Sequence, residues 1–207
     1  MAEEVDVEKQ HQIDERLGFH RYQEGPEKLG WLVNIQPTTV SSVDKKSTRS
    51  AVDLYFLEED GEYFKCTLAY DPYFYVICKP GTESDVDEYL RRKFERVIQN
   101  VVKVQKTDLH QPNHLVEPPR TLLKLMFRNT QEQMQVRREL EPIIRKNKAR
   151  AQVMDTYTTM LSSRPGGSGA RILDPMDCIS DMREYDVPYY VRVTIDNSES
   201  PHTPESF

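Results

Sequence analysis

Long apolar runs are missing from this 207-residue sequence. A helix needs about 20 apolar residues in succession to cross a bilayer, so none is expected here. The N-terminus is acidic and has no apolar core segment, which argues against a signal peptide. Cysteine is scarce: Cys66, Cys78 and Cys178 are odd in number and far apart. That excludes a disulfide framework and zinc-type Cys pairs, and it reads as reduced thiols of an intracellular protein. A positive balance is missing too. The net charge is −6, with 28 Lys and Arg against 34 Asp and Glu. A dedicated DNA-binding domain is usually basic, because cations must neutralise phosphates.

At 37% hydrophobic and 30% charged residues, the chain is poorer in apolar residues than an average domain, and some length should be loop or tail. Residues 1–17 are acidic (Glu3, Glu4, Asp6, Glu8, Asp14, Glu15) with no continuous apolar face, and residues 197–207 are polar. Both are expected to be disordered, since neither buries enough surface to offset ordering entropy. Residues 18–196 are expected to form one domain.

Strands are predicted over residues 30–40, 51–57, 63–70 and 73–79. Val52, Leu54 and Phe56 alternate with Asp53 and Tyr55, and Asp60-Gly61 carries a hairpin signal. The four strands read as a meander that Pro80-Gly81 ends. A helix follows, with Ser84 as N-cap, Asp87 three residues on, and Val86, Tyr89, Leu90, Phe94, Val97 and Ile98 at helical spacing. Residues 101–106 and 121–128 read as strands separated by a Pro-rich loop. Thr130 and Gln133 suggest a second capping box, on a helix whose apolar face is Val136, Leu140, Ile143 and Ile144, with Pro142 as a kink or stop. Pro188 opens a last strand over 188–196, expected to be incompletely covered. Residues 73–146 with 188–196 then spell strand–helix–strand–strand–helix–strand. This is the ferredoxin-like, split βαβ order of an α+β fold. A long excursion over 147–187, flexible over 147–181, separates the last helix from the last strand.

No catalytic motif is present. Glu58-Glu59-Asp60 is a consecutive acidic cluster, but two-metal catalysis needs carboxylates converging on two ions; a solvated hairpin tip is the better reading. His110 and His114 are spaced i, i+4, but Pro112 between them opposes a helix that presents both to a metal. The glycines around Ser168 have neither a preceding strand nor a following Lys-Ser/Thr, so they read as a linker. Tyr70, Tyr73, Phe74 and Tyr75 suit packing better than base stacking. Two basic clusters remain. Arg145, Lys146, Lys148 and Arg150 are candidates for weak nucleic-acid contact, and Arg91, Arg92 and Lys93 form a second group. The competing reading for both is a solvated helix face.

Seven segments carry a resemblance. They are Gly18-Phe19-His20-Arg21-Tyr22, Gly30-Trp31-Leu32-Val33-Asn34, the segment Ser50 to Phe56, the segment Tyr70 to Tyr75, Pro112-Asn113-His114-Leu115, the segment Asp155 to Ser163, and the segment Met182 to Asp196. In this order they resemble the N-terminal region of family B DNA polymerases of the epsilon catalytic-subunit type. The resemblance implies a nuclear DNA-directed DNA polymerase (a nucleotidyltransferase) that replicates the leading strand, contributes to repair and proofreads with a 3′–5′ exonuclease. It implies Mg²⁺, zinc and an iron–sulfur cluster for the full-length family. The partners it implies are primer-template DNA, accessory subunits and the rest of the catalytic polypeptide, with no membrane. The family's exonuclease Asp-Ile-Glu motif, paired-Asp polymerase motif and cysteine clusters are not in this sequence, and Asn197–Phe207 is unlike the family's continuation. No catalytic residue or cofactor is therefore carried over. The expected role is a non-catalytic, structural portion of such a polymerase. The alternative is a stand-alone replisome adaptor or a weak nucleic-acid-binding module.

Overall fold

A computed structural model of the chain describes residues 7–22, 25–41, 47–108, 110, 116, 118–161, 174–184, 188 and 190–191. Two compact units divide it, one of residues 1–72 with 186–207 and one of residues 73–185.

The first unit contains α1 (Val7–Arg16), β1 (Phe19–Arg21), β2 (Trp31–Ser41), β3 (Thr48–Leu57) and β4 (Tyr63–Ala69). Its sheet order is β1-β4-β3-β2, with β1 parallel to β4 and the other pairs antiparallel. The acidic tail expected over residues 1–17 is helical from Val7, for a polar reason given below. The β3–β4 hairpin closes as its sequence suggests: Gly61 has φ 89°, and the Glu58 N–H donates to the Glu62 carbonyl at 2.8 Å. Because side chains alternate across a strand, Val52, Leu54 and Phe56 share one face with Phe64 and Leu68, and Phe56 stacks on Phe64 at 4.8 Å. Asp53, Tyr55 and Lys65 lie on the other face.

β2 is an edge strand. The Ile35 N–H donates to Asn34 Oδ1 at 2.9 Å, and Pro37, two residues on, has no N–H. Both positions lie on the same side of the strand. The free edge therefore lacks two successive donors, which guards it against pairing with another chain.

The fourth strand expected in the meander belongs elsewhere. Asp71 is clamped by Arg49 through two hydrogen bonds of 2.9 Å, and after Pro72 the chain enters the second unit. This holds β5 (Tyr73–Cys78), α2 (Glu83–Lys93), β6 (Ile98–Lys106), β7 (Arg120–Phe127), α3 (Thr130–Leu161), a 3₁₀ turn at Pro175–Cys178 and β8 (Ile179–Arg183). The sheet order β6-β7-β5-β8 is antiparallel throughout. It is the split βαβ order predicted from the sequence. Phe74 and Val76 on β5, Val101 on β6, and Leu123, Leu125 and Phe127 on β7 face Val86 and Leu90 of α2 and Val136, Leu140 and Ile144 of α3 in one buried core.

Several boundaries differ from expectation. Among the described residues the last strand is Ile179–Arg183, and within the strand expected over 188–196 Tyr190 and Val191 are helical, with the Val191 N–H on the Pro188 carbonyl at 3.0 Å. Residues 192–196 lie outside the described residues. Within the excursion expected to be flexible over 147–181, α3 runs to Leu161 and a 3₁₀ turn and strand follow from Pro175, while residues 162–173 lie outside the described residues. Pro142 does not end α3. Thr82, not Ser84, precedes α2 and makes no side-chain cap bond. At α3, Asn129 caps instead of Thr130, its Oδ1 accepting from the Glu132 N–H at 2.9 Å.

Candidate nucleic-acid interface

The four cations singled out in sequence fall on the second half of α3, around Asn147. That residue is buried, and its amide donates to the carbonyls of Met176 at 2.7 Å and Ile179 at 2.8 Å. It pins the 3₁₀ turn and the start of β8 to the helix. At 100° per residue, Lys148 and Arg150 flank this buried side, and the seam carries acids for both. Lys148 reaches Asp181 at 2.7 Å and Arg150 reaches Asp177 at 2.9 Å. Arg145 points to the opposite side, Lys146 lies on the same flank as Arg150, and both are exposed. The structure therefore separates the predicted set: Lys148 pairs with β8, Arg150 pairs with the 3₁₀ turn, and Arg145 and Lys146 face solvent.

The second cluster is similarly committed. Arg91 pairs with Asp87 at 2.6 Å and also donates to the Val101 carbonyl. Lys93 reaches Glu139 at 3.4 Å and lies over the Phe94 ring at 4.9 Å. Arg92 and Arg96 line an open cleft of about 260 Å³ between the end of α2 and α3, together with Gln135 and two acids, Glu95 and Glu139. The mixed charge makes it a poor phosphate cradle. Tyr73, Phe74 and Tyr75 are buried: Phe74 stacks on Phe127 at 5.2 Å, and Lys124 sits 3.8 Å over the Tyr73 ring. They pack; they do not offer faces to bases. Glu58 is paired with Lys28 at the hairpin tip. His114 and the glycines around Ser168 lie outside the described residues.

Two ionic clusters escaped sequence reading. In the first unit Lys65 is 1% exposed. Its Nζ donates to Asp14 Oδ2 at 2.6 Å, to His11 Nδ1 at 2.8 Å and to Asp53 Oδ2 at 3.4 Å. An ammonium can only donate, so Nδ1 is the unprotonated nitrogen of that imidazole. Thr67 donates to Asp53 at 2.5 Å, and the Tyr55 hydroxyl donates to Asp14 at 3.1 Å. Burial and the charges of Asp14 and Asp53 push the Tyr55 phenol far above its ordinary value. This cluster is what holds α1 to the sheet.

In the second unit Arg183 grips buried Asp108 with two bonds, 3.0 and 3.1 Å, and also pairs with Asp181. Burial alone would raise both carboxyls. For Asp108, bonds from Arg183 and the His110 N–H win; for Asp181, bonds from Lys148 and Arg183 win. Both stay below the ordinary range.

In these clusters each carboxylate already faces a cation, and among the described residues no three His, Cys, Asp or Glu converge as metal ligands. Cys78 and Cys178 lie in the apolar core of the second unit, where burial first, with the Glu83 charge, pushes the Cys78 thiol up to about 12. Cys66 stands on β4 of the other unit. The described residues do not fit an iron–sulfur, zinc or two-magnesium site.

The chain is 42% identical to an Aspergillus fumigatus protein described as a DNA polymerase epsilon catalytic subunit, over 89% of this chain and 9% of that one. Against the protein of the same description from Schizosaccharomyces pombe it is 38% identical over 92% of this chain and 9% of the relative. For that from Arabidopsis thaliana the values are 38%, 90% and 8%. The chain thus spans less than a tenth of these relatives' length. A family B DNA polymerase structure from Pyrobaculum calidifontis is similar over 82% of this chain and 16% of its own, at 18% identity and a TM-score of 0.43. No family model matches the chain.

Proposed function

We propose that this chain, which belongs with the catalytic subunits of DNA polymerase epsilon, is a non-catalytic N-terminal part of a nuclear leading-strand replicase. The remainder of such a protein would polymerise DNA and proofread it 3′–5′, and primer-template DNA and accessory subunits would be its partners. The observation that carries this reading is the similarity spanning about nine tenths of the chain. The geometry supports the non-catalytic part, because the buried carboxylates are used internally: Asp14 and Asp53 on Lys65, Asp108 on Arg183. Two-metal phosphoryl transfer requires carboxylates that face ions instead. Any DNA contact made by this chain is assigned to Arg145 and Lys146, and it is weak at a net charge of −6.

The test is a chimera in which this chain replaces the matching segment of the Schizosaccharomyces pombe protein. Primer extension by the chimera at a rate near the parent's is the expected result, together with no extension or 3′ trimming by this chain alone in Mg²⁺. A folded but inactive chimera, or activity in the isolated chain, overturns the reading.

A further inference from the structure

Leu29, Trp31, Leu32 and Val33 crowd into five successive residues at the start of the edge strand β2, on both of its faces, with 81%, 60%, 41% and 51% of their surface exposed. Single exposed apolar residues are ordinary; four within five successive residues at one end of a strand are not. We propose that this corner of the first unit is a docking surface for an apolar segment flanked by Lys or Arg, carried by a partner protein.

The corner is held in place. A Cβ at Gly30 would lie 3.0 Å from the Leu57 carbonyl oxygen and 3.1 Å from the Phe64 ring, so the backbone there lies flat on the sheet. Trp31 pairs with Leu57 and Leu32 with Phe56, and a bulge between Leu32 and Asn34 leaves Val33 without a partner across the ladder. Anchors fixed before binding lose little freedom when a ligand arrives.

The surrounding charge selects the partner. The β3–β4 hairpin tip at this end of the sheet carries Glu58, Glu59, Asp60 and Glu62, and the charges of Glu58, Asp60 and Glu62 all act on Lys28, next to Leu29. Lys28 is bonded to Glu58 and lies 5.1 Å from the Phe64 ring centre. The remaining acids repel phosphate groups, which argues against nucleic acid and anionic membranes. A second copy of the chain would set the same acids against one another. A cationic segment with apolar side chains suits both features. It docks by side chains rather than as an added strand, because the Ile35 N–H is engaged by Asn34 and Pro37 has none.

Trp31 is the only tryptophan in the chain, so its emission reports this corner in the intact protein. The probe is an acetylated and amidated peptide alternating Lys with Leu and Phe. Two controls accompany it, one with Glu for Lys and one with Ser for Leu and Phe. Saturable blue-shifted emission with the first peptide alone is expected. Glu59→Lys with Asp60→Lys should weaken binding about tenfold, since it removes two exposed ion pairs with the peptide and adds repulsion. Leu29→Ser should weaken it as well, with circular dichroism unchanged. No shift, an equal response to either control peptide, or unchanged affinity in the folded variants overturns the proposal. A blue shift that grows with protein concentration and needs no peptide also overturns it, and assigns the corner to a second copy.

Discussion

Replacing Lys65 with Met tests the buried cluster that ties α1 to its sheet. Lys65 and its partners Asp14 and Asp53 have side chains only 2%, 4% and 2% exposed. Methionine keeps the length of the side chain and removes the one cation. Two carboxylates are then left where a single ammonium had held both, and Asp53 keeps only its bond from Thr67. Removing one partner of a buried pair costs about 3–5 kcal/mol, because the remaining charge is uncompensated. At neutral pH the first unit should lose about that much.

The loss should also acquire a pH dependence. Two like charges in a desolvated site raise a carboxyl's folded-state pKa above its unfolded value. The folded variant then binds protons that the unfolded chain does not, so its stability rises as pH falls towards that raised pKa. Urea unfolding followed by Trp31 emission, at pH 7 and pH 5, reads the first unit. Hydrogen exchange over α1 distinguishes global loss from release of the helix alone. Lys65→Met combined with Asp14→Asn and Asp53→Asn removes every charge and should recover most of the stability. A loss below about 1 kcal/mol at pH 7, where 3–5 is expected, or a loss equal at both pH values, would refute the reasoning.

Three further outcomes are expected. Gly30→Ala places a methyl against the immobile Leu57 carbonyl and should destabilise the first unit by about 1–3 kcal/mol in the same urea assay; no change would mean that the backbone there yields. Leu140→Ala empties part of a fully buried position in the second core and should cost about 2–5 kcal/mol, read as faster exchange in β5 and β7 with β3 unaffected. Asp108 and Asp181 are held below their ordinary range. Their contribution is therefore complete above the unfolded carboxylate value of about 4 and is lost as pH falls below it through the folded values. Asp108→Asn should make the acid-induced rise in β8 exchange shallower, and an unchanged profile would contradict this.

What could be read from the sequence follows from what each element packs against. β3, β4, β5 and β7 bury apolar side chains, so period-two alternation or plain apolar richness marks them. α2 and the first half of α3 carry apolar stripes and are equally plain. α1 has no such stripe because its inward face is Asp14 and His11, turned to a buried lysine; a helix docked by ion pairs looks like a solvated tail. β8 fails for the same reason. Asp181 and Arg183 alternate with Met182 in a strand whose outward face is bonded to Asp108, while the richer alternation after Pro188 draws the prediction away. The switch of β5 into the second sheet depends on the Arg49–Asp71 clamp and Pro72, and no local pattern distinguishes that from one more hairpin turn.

The functional residues show the same limit from the other side. Counting cations finds four neighbours on one helix, yet their use depends on angle around the axis relative to Asn147, and the acids that claim Lys148 and Arg150 come from a segment some thirty residues away. Arg145 lies opposite that seam and Lys146 on its flank, and both are exposed. Lys65, in contrast, had a legible signal. The Asp60-Gly61 turn sets the hairpin register, which places Lys65 opposite Tyr55 and Asp53 opposite Thr67. That puts Lys65 and Asp53 on the same face, two residues apart along the register. An aspartate inside Ala51-Val52-Asp53-Leu54-Tyr55-Phe56 is too deep in an apolar strand to be left without a cation. Taken with the register, it predicts a buried lysine, and from there a missing third element to cover the pair. That element is the N-terminal helix, which composition alone assigns to solvent.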